Sequence, residues 1–94
     1  MAVSFSGCVK VSPDVLFRPL GEEGVLVNLK TERYLGLNPT GVRMWDVLSR
    51  ASSIQAAYDD LLREYQVEPA ELREDLQNFI AELLDQKLVE AASA

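Results

Sequence analysis

The sequence predicts an α+β domain in which a three-stranded antiparallel sheet is followed by three helices. Three observations carry that expectation. The front of the chain is a series of short runs rich in β-branched and apolar residues, separated by tight polar or glycine-bearing turns. From Asn38-Pro39 onward the apolar residues recur at helical spacing instead. Finally, a chain of 94 residues has room for one small core, so both halves must pack on each other as a single domain, 1–94, with its ordered part at about residues 9–89.

Residues 9–11 form a short β-branched piece, ended by the turn residues Ser12-Pro13-Asp14. Residues 15–19 are extended, and Gly21-Glu22-Glu23-Gly24 is a hairpin connection to a third run at residues 25–29. Lys30-Thr31-Glu32 is a polar turn into the last strand, Arg33–Leu37. Such short turns imply antiparallel neighbours. Asn38 is a helix N-cap with Pro39 at the first helical position, where a missing N–H costs nothing. Val42, Met44, Trp45, Val47 and Leu48 then form an apolar stripe that fades over residues 49–52. Ser53 caps a second helix that buries Ala56, Ala57, Leu61 and Leu62, with Tyr58 and Tyr65 at its margins. Val67-Glu68-Pro69 breaks it and opens a third helix, from Pro69 to about Lys87, whose Leu72, Leu76, Phe79, Ile80 and Leu83 make one face. Leu88-Val89 closes the domain, and residues 91–94 read as a frayed tail. The tight break between helices two and three gives the layout of a winged helix-turn-helix with the wing in front.

Composition removes several functions. There are 9 Lys and Arg against 15 Asp and Glu, a net charge of −6, which repels phosphate backbones and favours a basic peptide partner over nucleic acid. The rival reading, a winged-helix DNA-binding regulator, needs cations on the recognition helix. The third helix offers Arg73 and Lys87 among Glu71, Glu74, Asp75, Glu82 and Asp85. Histidine is absent, so the commonest general base and metal ligand are missing. Cys8, the one cysteine, has only Lys10 as a nearby cation and reads as a passive thiol. No catalytic residue, metal site or cofactor is expected. Residues 1–8 lack the pattern of a signal peptide and no stretch is long enough to span a membrane, which points to the cytoplasm and away from membranes.

The strand Arg33–Leu37 should lie at the sheet edge. It carries Gly36, no proline and one charge, so little blocks its free N–H and C=O groups. An added peptide strand is a standard way to use such an edge. The competing reading is an edge covered by the chain's own tail, and exchange of strands between two copies is a third, so the chain is expected as a monomer or a strand-exchanged dimer.

The segment Leu35-Gly-Leu-Asn-Pro-Thr-Gly-Val-Arg-Met-Trp-Asp-Val-Leu48 resembles the strand-into-helix signature of PqqD-like proteins. Gly24-Val-Leu-Val-Asn-Leu29 resembles their second strand. Phe79-Ile-Ala-Glu-Leu-Leu-Asp-Gln-Lys-Leu-Val89 resembles the end of their last helix with its closing apolar pair. The resemblance implies a leader-peptide recognition element for ribosomally made, modified peptides. Such a domain holds the precursor leader as an extra strand and presents the core peptide to a modifying or leader-cleaving enzyme. Carried onto this chain, the strand is Arg33, Tyr34, Leu35, Gly36 and Leu37, and the wall of the groove is the third helix at Arg73, Asp75, Leu76, Phe79 and Ile80. The family's quinone-pathway members, peptide chaperones of PQQ cofactor synthesis, carry Cys-Asp-Gly between the first two helices. Ser49-Arg50-Ala51-Ser52-Ser53 stands there in this chain. The free-standing recognition proteins of lasso-peptide clusters are therefore the nearer resemblance.

Overall fold

Two sheets organise the strands. In the computed structural model, which describes residues 5–92, β2 (Val15–Leu20), β3 (Glu23–Asn28) and β4 (Arg33–Leu37) form an antiparallel sheet in the order β2-β3-β4. The first strand, β1 (Cys8–Val11), pairs instead with β5 (Val89–Ala92), which runs from the closing apolar pair into the first half of the expected frayed tail at 91–94. Cys8 faces Ala92 and Val11 faces Val89 in that ladder. Ala91 and Ala92 are therefore paired; Ser93 and Ala94 lie outside the described residues. The tail's strand satisfies β1 and leaves the edge of β4 uncovered.

Two turns set the registers. The β2–β3 hairpin closes at Leu20 opposite Glu23, so only Gly21 and Glu22 remain in the loop, and Gly21 takes the positive φ of 66° that a two-residue turn led by glycine requires. The Phe17 ring lies over Gly24, where an added Cβ would collide with the ring. The β3–β4 loop, residues 29–32, turns through Glu32 at φ 62°.

The helices follow their capping residues: α1 (Pro39–Arg50), α2 (Ile54–Glu64) and α3 (Pro69–Asp85). Asn38 Oδ1 accepts from Gly41 N at 2.7 Å, and Ser53 Oγ accepts from Ala56 N at 3.0 Å. The first N–H groups of α2 are also taken by the N-terminal segment: Ile54 N donates to Gly7 O and Gln55 N to Phe5 O. Phe5 is buried there, edge-on to Tyr58, so the core begins earlier than residue 9. Helix α3 stops two residues before Lys87, which adopts φ 59° while Lys87 N donates to Leu84 O and Leu88 N to Leu83 O. That is a Schellman ending with a lysine where glycine is favoured. Leu26, Ile54, Leu61, Leu76, Ile80, Leu83 and Leu88 are fully buried where sheet and helices meet, each contributing about 1.5–3 kcal/mol. Trp45 and Leu37 join this core, whereas Ala56 and Leu62, expected to be buried, are only half-buried.

Arg43 joins α1 to α2 by gripping Glu64 at 2.7 Å and also pairs with Asp46. The Arg43 hydrogen bond holds the Glu64 carboxyl below its ordinary 4.5, and the same bond raises Arg43. A depressed carboxyl stabilises the fold above its unfolded value, and that stabilisation is lost as pH falls through the folded one. Glu64→Gln should therefore flatten the fall in melting temperature below about pH 4.5, measured across a pH series. Lys87→Gly should stabilise the domain by about 1 kcal/mol, raising the melting temperature by several degrees, because it removes a left-handed lysine.

Candidate peptide-binding site

Hydrogen-bond parity decides which backbone groups the sheet leaves open. Leu29 N donates to Asp14 O at 2.9 Å, in phase with Val27 opposite Leu16 and Val25 opposite Arg18. The odd residues of β3 are thus bonded to β2, and its even residues, Gly24, Leu26 and Asn28, to Leu37, Leu35 and Arg33. Within β4 this leaves Tyr34 and Gly36 turning N–H and C=O outward. On the opposite edge the outward residues are Val15, Phe17 and Pro19. Pro19 has no N–H, and Val15 N is already given to Ser12 O at 3.1 Å. The β2 edge is blunted; the β4 edge is not. An added Cβ at Gly36 would meet nothing within 4 Å.

The end of α3 lies beside the start of this edge, held there by Asn28, the one buried polar residue among those described. Its Nδ2 donates to Lys87 O at 2.9 Å, and its Oδ1 accepts from Lys30 N at 2.9 Å and Thr31 N at 3.2 Å. Ser12 Oγ donates to the same Lys87 carbonyl. Arg33 Nη1 reaches Gln86 Oε1 at 3.4 Å, tying β4 directly to the cap of α3.

That contact identifies the flank of α3 that faces β4. At about 100° per residue, Asp75, Phe79 and Gln86 fall within roughly 40° of one another. Arg73 lies about 120° from Phe79, and its guanidinium sits 4.0 Å over the Phe5 ring. Of the helix positions expected along the groove, Arg73 is therefore turned away, towards the N-terminal segment. Leu76 and Ile80 have no accessible surface, because they point straight into the core. Phe79 is half-buried and keeps an outward edge, and Asp75 is exposed. On β4, Leu35 is half-buried and Leu37 buried on the helix side, whereas Tyr34 is 73% exposed on the other side. Glu82 continues the β4-facing flank, so the wall carries carboxylates with no ion-pair partner among the described residues. Gln86 was not among the expected site residues; its signal was a polar cap position two turns past Phe79 and one turn past Glu82. Among the described residues no three His, Cys, Asp or Glu side chains converge to hold a metal, and no helix is long and apolar enough to cross a membrane.

A three-stranded sheet with helices on one face and one unblunted edge defines a winged-helix-like α+β domain. The chain belongs to the PqqD family: the model of coenzyme PQQ synthesis protein D matches residues 23–89. Among solved structures it is similar to TbiB1 in complex with the TbiA(beta) leader peptide, at 31% identity and a TM-score of 0.78, over 86% of this chain and 94% of that one. A lasso peptide synthetase B1 complexed with its leader peptide shares the fold at 20% identity and a TM-score of 0.76, over 87% and 96% of the two chains. No significant match was found among curated proteins.

Parity also sets a test. Gly36→Pro removes an outward N–H and no ladder bond, so the protein should fold and lose about tenfold in affinity for a paired peptide. Leu35→Pro breaks the bond to Leu26 and should lower the melting temperature instead. Paired melting and peptide-titration measurements on the two variants distinguish edge from ladder.

Proposed function

We propose that this chain captures the leader segment of a ribosomally made precursor, of the lasso-peptide kind, as a fourth strand on β4 and delivers the peptide to a modifying or leader-cleaving enzyme. What supports this reading is the open backbone of Tyr34 and Gly36 on β4, with Phe79 half-buried on the flank of α3 that ends at Gln86, the partner of Arg33. Leader side chains on the helix side would pack against Leu35 and Phe79, with Asp75 and Gln86 at the margins. The leader in the TbiB1 complex supports the ligand class, and the match over 94% of that chain supports the same role for the whole domain. Chemistry is left to the partner enzyme, in keeping with the missing histidine and the passive Cys8. The same edge can pair with a second copy, and leader would compete with that pairing.

Isothermal titration with a lasso-type leader peptide, alongside melting curves, tests the groove. Phe79→Ala should keep the fold and weaken binding by about tenfold, since losing much of a buried apolar contact of about 1.5–3 kcal/mol costs a decade or more. Ile80→Ala should instead cost about 2–5 kcal/mol of stability through a cavity. Arg73→Ala should leave affinity alone and cost roughly 0.5–1 kcal/mol of stability with the Phe5 contact. If Phe79→Ala and Gly36→Pro both bind leader as the wild type does, the leader does not lie along β4 and α3.

A further inference from the structure

The edge of β4 fits a second copy of itself. Two identical strands pair antiparallel about a two-fold axis, and with Tyr34 and Gly36 turned outward that axis falls on Leu35. Tyr34 then stands opposite Gly36 of the second copy, and Gly36 opposite its Tyr34. Each pair exchanges two N–H···O=C bonds, so every outward group of both residues is used. The side chains agree with this register. Leu35, half-buried on the helix side, meets Leu35 of the second copy in the close pair between the bonded ones. On the other side Tyr34, 73% exposed, lies over a glycine where an added Cβ would meet nothing within 4 Å. A ring laid across an edge glycine covers backbone that would otherwise meet water.

The other edges lack this fit. In the β1–β5 ladder Ser12 N donates to Leu88 O, in phase with Lys10 opposite Glu90, so Val9 and Val11 turn outward on β1 and Val89 and Ala91 on β5. Self-pairing there sets Lys10 against Lys10 of the second copy, or Glu90 against its Glu90. Like charges directly opposite each other oppose pairing. The β2 edge is blunted by Pro19 and by the bond from Val15 N.

We propose that the empty domain caps its open edge with a second copy, β4 pairing with β4 about Leu35, and that leader displaces this pair. The joined sheet runs β2-β3-β4 in one copy and β4-β3-β2 in the other. Its two ends are the blunted β2 strands, so assembly stops at two. The contact is one strand long, roughly 17 Å, and buries far less than the about 800 Å² per partner of a stable interface. Each copy also carries a net charge of −6. The pair is therefore transient, forms at high protein concentration, and tightens as salt screens the repulsion. Such a cap guards the edge against mispairing until leader arrives. Displacement by leader rests on the leader-binding reading above; the pairing register does not.

Disulfide trapping of the full chain reads the register. In a Cys8→Ser background, Leu35→Cys brings two Cα atoms to about 4.5 Å, within disulfide reach. Arg33→Cys, on the same side and more exposed, leaves them roughly 14 Å apart. At about 1 mM protein with diamide as oxidant, Leu35→Cys should form covalent dimer at least about tenfold faster than Arg33→Cys. High salt should speed it, and a saturating lasso-type leader should suppress it. Should Leu35→Cys fail to fold, a mixture of Tyr34→Cys and Gly36→Cys chains reports the same register, since these positions face each other and neither faces itself. The mixture should crosslink faster than either variant alone. If Arg33→Cys crosslinks as fast as Leu35→Cys, or the mixture no faster than its parts, the proposal is wrong and the leader reading stands. If crosslinking keeps the register but calorimetry shows that the wild type binds no leader, the leader reading falls and the self-pairing stands. If leader binds the wild type yet leaves the crosslinking rate unchanged, the two do not share β4 and the capping role is overturned.

Discussion

A single buried amide holds the site together. Asn28 binds two N–H groups of the β3–β4 turn with its oxygen and the Lys87 carbonyl with its nitrogen. The turn decides where β4 begins, and Lys87 is where α3 ends. One side chain thus fixes the edge strand and the helical wall relative to each other. A buried polar group left half-satisfied costs about 1–3 kcal/mol, so the arrangement tolerates little drift. Leu26, the core neighbour of Asn28 on the same face of β3, fills the space beneath with no exposed surface.

Strand addition suits a domain this small. A pocket deep enough to enclose a ligand would need a larger core than 94 residues supply. An edge needs none: main-chain groups already aligned by the sheet provide affinity for any extended peptide, and side chains along one wall select among them. The hazard is that an open edge also accepts wrong partners. The chain limits it by blunting β2 with Pro19 and by using β5 to occupy β1. What remains open is short, the outward backbone of two residues, Tyr34 and Gly36.

The charge pattern fits the same economy. The two arginines near α3 are occupied: Arg73 lies on Phe5 and Arg33 reaches Gln86. Arg43 and Arg50 are tied to carboxylates on α1 and α2. The wall facing β4 is left to Asp75 and Glu82, which discourages phosphate and other acidic ligands. A helix arranged in this way is a poor reader of DNA despite its place in a winged-helix layout.

Local chemistry made much of this legible. The strand-into-helix step at residues 35–48, the caps at Asn38 and Ser53, the break at Pro69 and the unblocked edge at Gly36 are each written in neighbouring residues, because turns, caps and hydrophobic period act over a few positions. Which residues of α3 keep an accessible edge was not legible. Leu76, Phe79 and Ile80 look alike in sequence, and only packing sends two into the core and leaves one with an edge. Arg73 and Asp75 bracket that face symmetrically until Phe5 claims one of them. The fate of the tail depended on contacts across the whole chain: residues 89–92 become a strand because β1, some eighty positions earlier, offers them a partner. The residues alone determined the elements and the class of ligand. Tertiary structure decided the flank, the edge and the strand that leaves it open, since those follow from pairings between segments distant in sequence.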